Sequence, residues 1–193
     1  MRPSEPTPGR TIVLPPHALV VLIGIAGSGK TTFAHAHFAA TEIVSSDALR
    51  GLVAGDPNDQ TATDDAFAVL HTIVGTRLRR GLLTVVDATN VEAWARAQLL
   101  DIAWRARRPA IALVLDPGLA VALERNLART DGRRPPAAAR RQQRWLDQGL
   151  SEMASEGFAA VEHLRDPAQL VRIERRAPSS TRENPEGTLR PPR

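Results

Sequence analysis

The chain has 193 residues, a formal net charge of +4 and no cysteine. That length suits one domain with a buried core, and the missing thiols exclude disulfides, thiolate metal sites and cysteine nucleophiles. No apolar run approaches the ~20 residues that span a bilayer, and residues 1–10 lack the apolar centre of a secretion signal, so a cytoplasmic protein with no membrane contact is the expectation.

Residues 1–12 are rich in Pro, Thr and Gly and read as a disordered end. Ala18 to Ile23 is a continuous apolar run, predicted as a buried strand. It runs straight into Gly24–Thr32, GIAGSGKTT, and a helix over Thr31 to Ala40. Glu42 to Ser45 is a short strand, after which Ser46 and Asp47 open a helix through Leu52. Residues 54–63 collect turn formers and are a loop. From Asp64 to Arg80 the period is helical, with Phe67, Leu70, His71, Val74 and Leu78 on one face, and Gly81 stops it. Leu82 to Val86 is a second buried strand, Asp87 to Asn90 the loop at its carboxyl end, and Val91 to Arg107 a helix. Ala110 to Leu115 is another buried strand, and Asp116-Pro117 opens a helix running to about Arg129. Thr130 to Pro136 breaks the pattern. Ala137 to Leu150 is helical, Phe158 to Leu164 a last strand, and Pro167 to Val171 a short helix. Residues 176–193 form a polar, proline-rich tail, which leaves one domain over 13–175.

Strands alternating with helices predict an α/β fold, a parallel sheet with helices on both faces. Ligands in such sheets bind beyond the carboxyl ends of the strands. There the sequence places G-x-x-x-x-G-K-T, with Gly24, Gly29, Lys30 and Thr31 at the fixed positions of a phosphate-binding loop. A strand before it and a helix after it are the context that this motif requires. Backbone N–H groups from Gly24, Ala26, Gly27, Ser28, Gly29 and Thr32 can cradle ATP phosphates, Lys30 can reach the β- and γ-phosphates, and the Thr31 hydroxyl can ligate Mg²⁺. Lys30 is the chain's one lysine; every comparable cation is an arginine. A slim point charge has been kept where a planar fork would not serve.

Asp47 follows the second predicted strand, and a right-handed crossover is expected to bring it beside the loop. A carboxylate there can take the proton of an attacking hydroxyl; its plainer task, shared with Ser46, is to cap the helix. Arg50 lies three residues on, positioned to bind an acceptor's phosphate or to pair with Asp47. Asp87 ends its strand where such folds place the acid that orients Mg²⁺, or it merely starts the loop. Thr89 and Asn90 can bind substrate or hold the turn. Between Arg125 and Arg144 stand seven arginines against one acid, Asp131. Arg125 and Arg129, at i and i+4, point to the break and can close over ATP as a mobile lid; the rest can bind a polyanion or form a solvated face. For Trp94, Trp104 and Trp145, packing is expected over base stacking, and the aspartates of residues 56–65 are expected to be solvated.

The combination SSDALRG (45–51), NDQ (58–60), VDATN (86–90) and ERNLAR (124–129) behind GIAGSGKTT resembles the P-loop polynucleotide 5′-kinase domain of bacterial RNA-repair enzymes that join kinase, phosphatase and ligase modules. The resemblance covers about residues 18–173. It implies an ATP- and Mg²⁺-dependent kinase of RNA or DNA 5′-hydroxyl ends, with Asp47 as general base and Arg50 on the nucleic-acid phosphate. Arg125, Arg129 and a third arginine, Arg133 or Arg134, become the lid. With no length left for the other modules, complete repair would draw on separate phosphatase and ligase proteins. Two other readings share the loop: a small-molecule kinase, with a closed pocket around Asp47, and a regulatory ATPase with no phosphoryl acceptor.

Overall fold

The computed structural model describes residues 10–129, 135–165 and 171–176. Five parallel strands make the main sheet: β2 (Leu19–Ile23), β3 (Ile43–Ser45), β4 (Thr84–Asp87), β5 (Ala110–Leu115) and β6 (Ala160–Leu164), in the order β3-β4-β2-β5-β6. The helices are α1 (Lys30–His37), α2 (Ser46–Ala54), α3 (Thr63–Arg79), α4 (Ala93–Arg105), α5 (Leu119–Ala128) and α6 (Pro136–Gly149). The expected α/β fold is therefore present.

Alternation along β2 builds both faces of the core. Leu19, Val21 and Ile23 pack with Leu70, Val74 and Leu78 of α3, Leu99 of α4 and Leu146 of α6. Val20 and Leu22 face the other way, onto Phe33 and Phe38. On that second side the structure adds a parallel pair, β1 (Arg10–Leu14) with β7 (Val171–Arg175), whose Ile12, Leu14 and Val171 join the same core. Residues 10–12 are thus a strand and not part of a disordered end. Val171 likewise opens a strand and does not close a helix. The rest of that expected helix, the tail from 177 onward and the first nine residues lie outside the described residues.

Register sets the site. Asp87 lies opposite both Leu22 of β2 and Ser45 of β3, so three strands end at one level. β4 stands between β2 and β3, so Asp47's strand lies two strands, roughly 10 Å, from the strand that enters the loop. The helix cap is Ser45, whose Oγ accepts from Ala48 N at 3.4 Å. Asp47 is in the first turn and is not the cap.

The turn after β4 is held from below. Arg96 is fully buried, pairs with both carboxylate oxygens of Glu156, and donates to the carbonyls of Asn90 (3.1 Å) and Val91 (2.8 Å). A buried guanidinium with this many acceptors is compensated, and removing Glu156 would leave it unpaired. Trp145 packs against the core, with the Arg141 guanidinium 5.3 Å over its ring. Trp94 and Trp104, expected to pack, are instead exposed, at 60% and 44%. Among the described residues no helix is long and apolar enough to cross a membrane.

Candidate active site

The loop between β2 and α1 is a compact turn. Ser28 N donates to Ile25 O at 3.1 Å, and Gly27 takes φ 85°, a conformation that disfavours side chains. A Cβ on Gly27 would also run into the Ala122 carbonyl oxygen of α5, so that helix rests directly on the loop. Gly27→Ala is therefore expected to cost at least about 2 kcal/mol of stability and to abolish nucleotide binding. Thermal melting with and without ATP checks this; a variant with unchanged melting that binds ATP normally would overturn the stated packing.

Lys30 opens α1 and is buried, with Nζ donating to the carbonyls of Gly24 (2.8 Å) and Ile25 (2.9 Å). Burial pushes its pKa down from 10.5 to about 8, against the pull of Asp87 and Asp47, with Arg129 adding to the depression. Thr31 Oγ1 donates to Asp87 Oδ2 at 2.8 Å. A hydroxyl backed by a carboxylate is a pair of hard oxygen donors suited to Mg²⁺, which keeps most of its shell for water and phosphate. Among the described residues no cluster of three or more His, Cys, Asp or Glu side chains offers a full protein cage.

Asp47 is half exposed and accepts from Arg50 Nη1 at 2.6 Å. Arg50 is 4% exposed, and its Nη1 also donates to Pro57 O at 2.9 Å. It therefore steadies Asp47 and ties the 56–62 loop to α2, and in this state its guanidinium does not face solvent. In that loop Asp56 and Asp59 accept from the backbone of Asn58 and Thr61, both at about 3 Å, and so brace their own turns. Hydrogen bonds from Thr61 hold the Asp59 carboxyl below its ordinary value.

The arginines come over the loop from α5. Arg125 stands above Gly29, where a Cβ would lie 3.6 Å from its Nη1. α5 stops at Ala128, so Arg129 is not on the helix face that the spacing predicted; it sits at the extended C-cap, with φ −68° and ψ 139°. Its charge still reaches Lys30. Arg133 and Arg134 lie outside the described residues. Of the two tasks expected of Asn90, the structure shows it holding the turn. It is 2% exposed, in a left-handed turn at φ 49°, and its Nδ2 donates inward to Leu22 O at 2.8 Å.

Two side chains escaped the sequence reading. Arg96 stood on the inward face with Leu99, Leu100 and Ala103, at i, i+3, i+4 and i+7, a spacing that marks it as buried. Gln142 of α6 accepts from Ala26 N at 2.9 Å, and no sequence signal separates it from the polar residues around it. The Ala26 N–H, expected at the phosphates, is thus engaged by α6, and the Gly24 N–H likewise donates to Thr89 O at 2.9 Å.

The site therefore joins a phosphate loop, a buried cation, a Thr–Asp pair, a carboxylate paired with arginine, and two arginines overhead. Among protein families, residues 19–152 match the AAA domain. The chain belongs to this AAA-domain family. A comparison with curated proteins yields no match. Among solved structures, the AAA domain described here is similar to a chain of the Pnkp1/Rnl/Hen1 RNA repair complex, at 23% identity and TM-score 0.58 over 70% of this chain and 45% of that one. It is also similar to Kti12 of Chaetomium thermophilum in complex with ADP-AlF3, at 20% identity and TM-score 0.52 over 76% and 88% of the two chains. A gluconokinase from Sinorhizobium meliloti 1021 matches at 21% identity and TM-score 0.50 over 81% and 86%. At these identities the likeness is one of fold, a P-loop kinase fold.

Proposed function

We propose that the protein is an ATP-dependent polynucleotide 5′-hydroxyl kinase. The observation that carries this reading is the Asp47–Arg50 pair, held half-open at the level of the strand ends, near enough to the buried Lys30 for Asp47 to act on its charge. A carboxylate so placed serves phosphoryl transfer to a hydroxyl.

In this reading Asp47 accepts the proton of the 5′-hydroxyl as its oxygen bonds to the γ-phosphorus. The bond from that phosphorus to the β–γ bridging oxygen breaks, and ADP leaves. Lys30 neutralises the β- and γ-oxygens, and Arg125 and Arg129 stabilise the charge on the group in flight. Thr31, with Asp87 behind it, would hold Mg²⁺, which supplies charge neutralisation at the same phosphates. The polymer acceptor is supported by Arg140, Arg141 and Arg144, all exposed on α6. One observation favours a small-molecule acceptor instead: Arg50 is buried, whereas a polymer phosphate would meet it in the open.

Labelled γ-phosphate from ATP, offered to 5′-hydroxyl RNA and DNA oligonucleotides beside gluconate and shikimate, separates the two. Label is expected on an oligonucleotide, and two phosphate contacts would raise its KM about tenfold between 50 and 200 mM salt. Label on a small polyol alone would reassign the acceptor.

A further inference from the structure

The peptide joining Ile25 to Ala26 is bonded on both sides. Its carbonyl accepts from Lys30 Nζ at 2.9 Å and from Ser28 N at 3.1 Å, and its N–H donates to Gln142 Oε1 at 2.9 Å. No peptide bond among the described residues is cis. In a planar trans peptide the C=O and N–H point in opposite directions. Gln142 therefore grips the back of the same peptide plane whose front holds Lys30. The N–H can be met only by an acceptor, so it is the amide oxygen of Gln142 that faces the loop. Gln142 projects from α6, the helix carrying the exposed arginines Arg140, Arg141 and Arg144. The preceding helix, α5, meets the loop one residue further on, where Ala122 O occupies the space above Gly27. Both helices that flank the arginine-rich break are thus seated on consecutive residues of the phosphate loop.

We infer that Gln142 is a positioning residue: by fixing the Ile25–Ala26 peptide it sets the direction of the carbonyl that orients Lys30, and so couples the arginine-bearing helix α6 to the donor site. Hydrogen bonds at the two ends of one peptide polarise each other, so strengthening one strengthens the other. A change in the seat of α6 is then felt at the ammonium without any contact between α6 and nucleotide. The inference rests on the nucleotide-binding reading of the loop and not on the identity of the acceptor.

The variants Gln142→Glu and Gln142→Met separate the clip from mere bulk. Glu keeps an acceptor oxygen at the same reach, while Met keeps length and volume and loses it. Hydrogen exchange at the Ala26 amide, measured without nucleotide, is expected to quicken in Gln142→Met and to stay slow in Gln142→Glu. Calorimetric titration with Mg·ATP is expected to show affinity about five- to tenfold weaker for Gln142→Met and within about twofold of wild type for Gln142→Glu, the effect of one hydrogen bond. Gln142→Asn, with the amide intact but one methylene short, is expected to follow Met, and it serves if the Met variant melts early. Equal losses in Glu and Met, or wild-type exchange and affinity in Met and Asn, would overturn the inference. If wild-type protein binds no ATP while the exchange pattern holds, the nucleotide reading fails and the clip stands.

Discussion

Asp47→Asn is expected to slow phosphoryl transfer by about 10²- to 10⁴-fold, the range for a lost general base, while leaving ATP affinity near wild type. The amide cannot take a proton from the attacking hydroxyl, yet its oxygen can still accept from Arg50 Nη1, which lies 2.6 Å from the native carboxylate. That retained bond is why Asn is the better variant. Arg50's side chain is 5% exposed, and Asp47→Ala would strip a buried guanidinium of its carboxylate, mixing a stability loss into the kinetic one. Single-turnover transfer, with thermal melting as control, reads the effect. A variant that folds and transfers at more than a tenth of the wild-type rate would remove Asp47 from the base role.

Lys30→Met is expected to weaken ATP binding and transfer together, by about 10²- to 10³-fold in rate, the scale of losing one preorganised donor at a developing charge. The native lysine carries a second, pH-dependent signature. Its pKa of about 8 in the free protein reflects burial above all. Phosphates arriving at Nζ favour the charged form and raise it. Above pH 8, ATP binding should therefore take up a proton, and affinity should fall as pH rises through that value. Titration calorimetry at pH 8.5, in two buffers of different ionisation enthalpy, measures the uptake; it should vanish at pH 7 and in Lys30→Met. Stability runs with the opposite slope. Between about 8 and 10.5 the unfolded chain holds a proton that the folded chain has released, so this contribution to stability rises with pH across that window.

Much of this was legible in the chain because it was local. The phosphate loop, the strand before it and the helix after it depend on neighbours in sequence. So does the Asp47–Arg50 pair, which needs only one turn of helix. That Thr31 and Asp87 serve one Mg²⁺ position was legible for a different reason: Asp87 ends its strand, Thr31 follows the loop after the neighbouring strand, and parallel strands deliver their carboxyl ends to one level; the direct hydrogen bond between them was not. What escaped was set by tertiary contact. β1 is five residues, preceded by Gly9 and followed by Pro15 and Pro16, and pairs with β7 some 160 positions away, so no local pattern announces it. Asn90 reads as a loop polar residue, and only the fold shows its amide turned onto a strand carbonyl. Arg129 lost its expected helical position because α5 ends one residue earlier, at Ala128. Gln142 is a glutamine among arginines, and its partner is a backbone N–H, which has no sequence signature.

Transfer to a polynucleotide 5′-hydroxyl is read directly by end-group analysis. The protein is given γ-labelled ATP and one oligonucleotide in two forms, with a 5′-hydroxyl and with a 5′-phosphate, and the label is located after nuclease digestion. Label is expected at the 5′-terminal phosphate of the first form, none on the second, and at least about a hundredfold slower labelling by Asp47→Asn. ATP bound and consumed with no label on either form would contradict a polynucleotide acceptor.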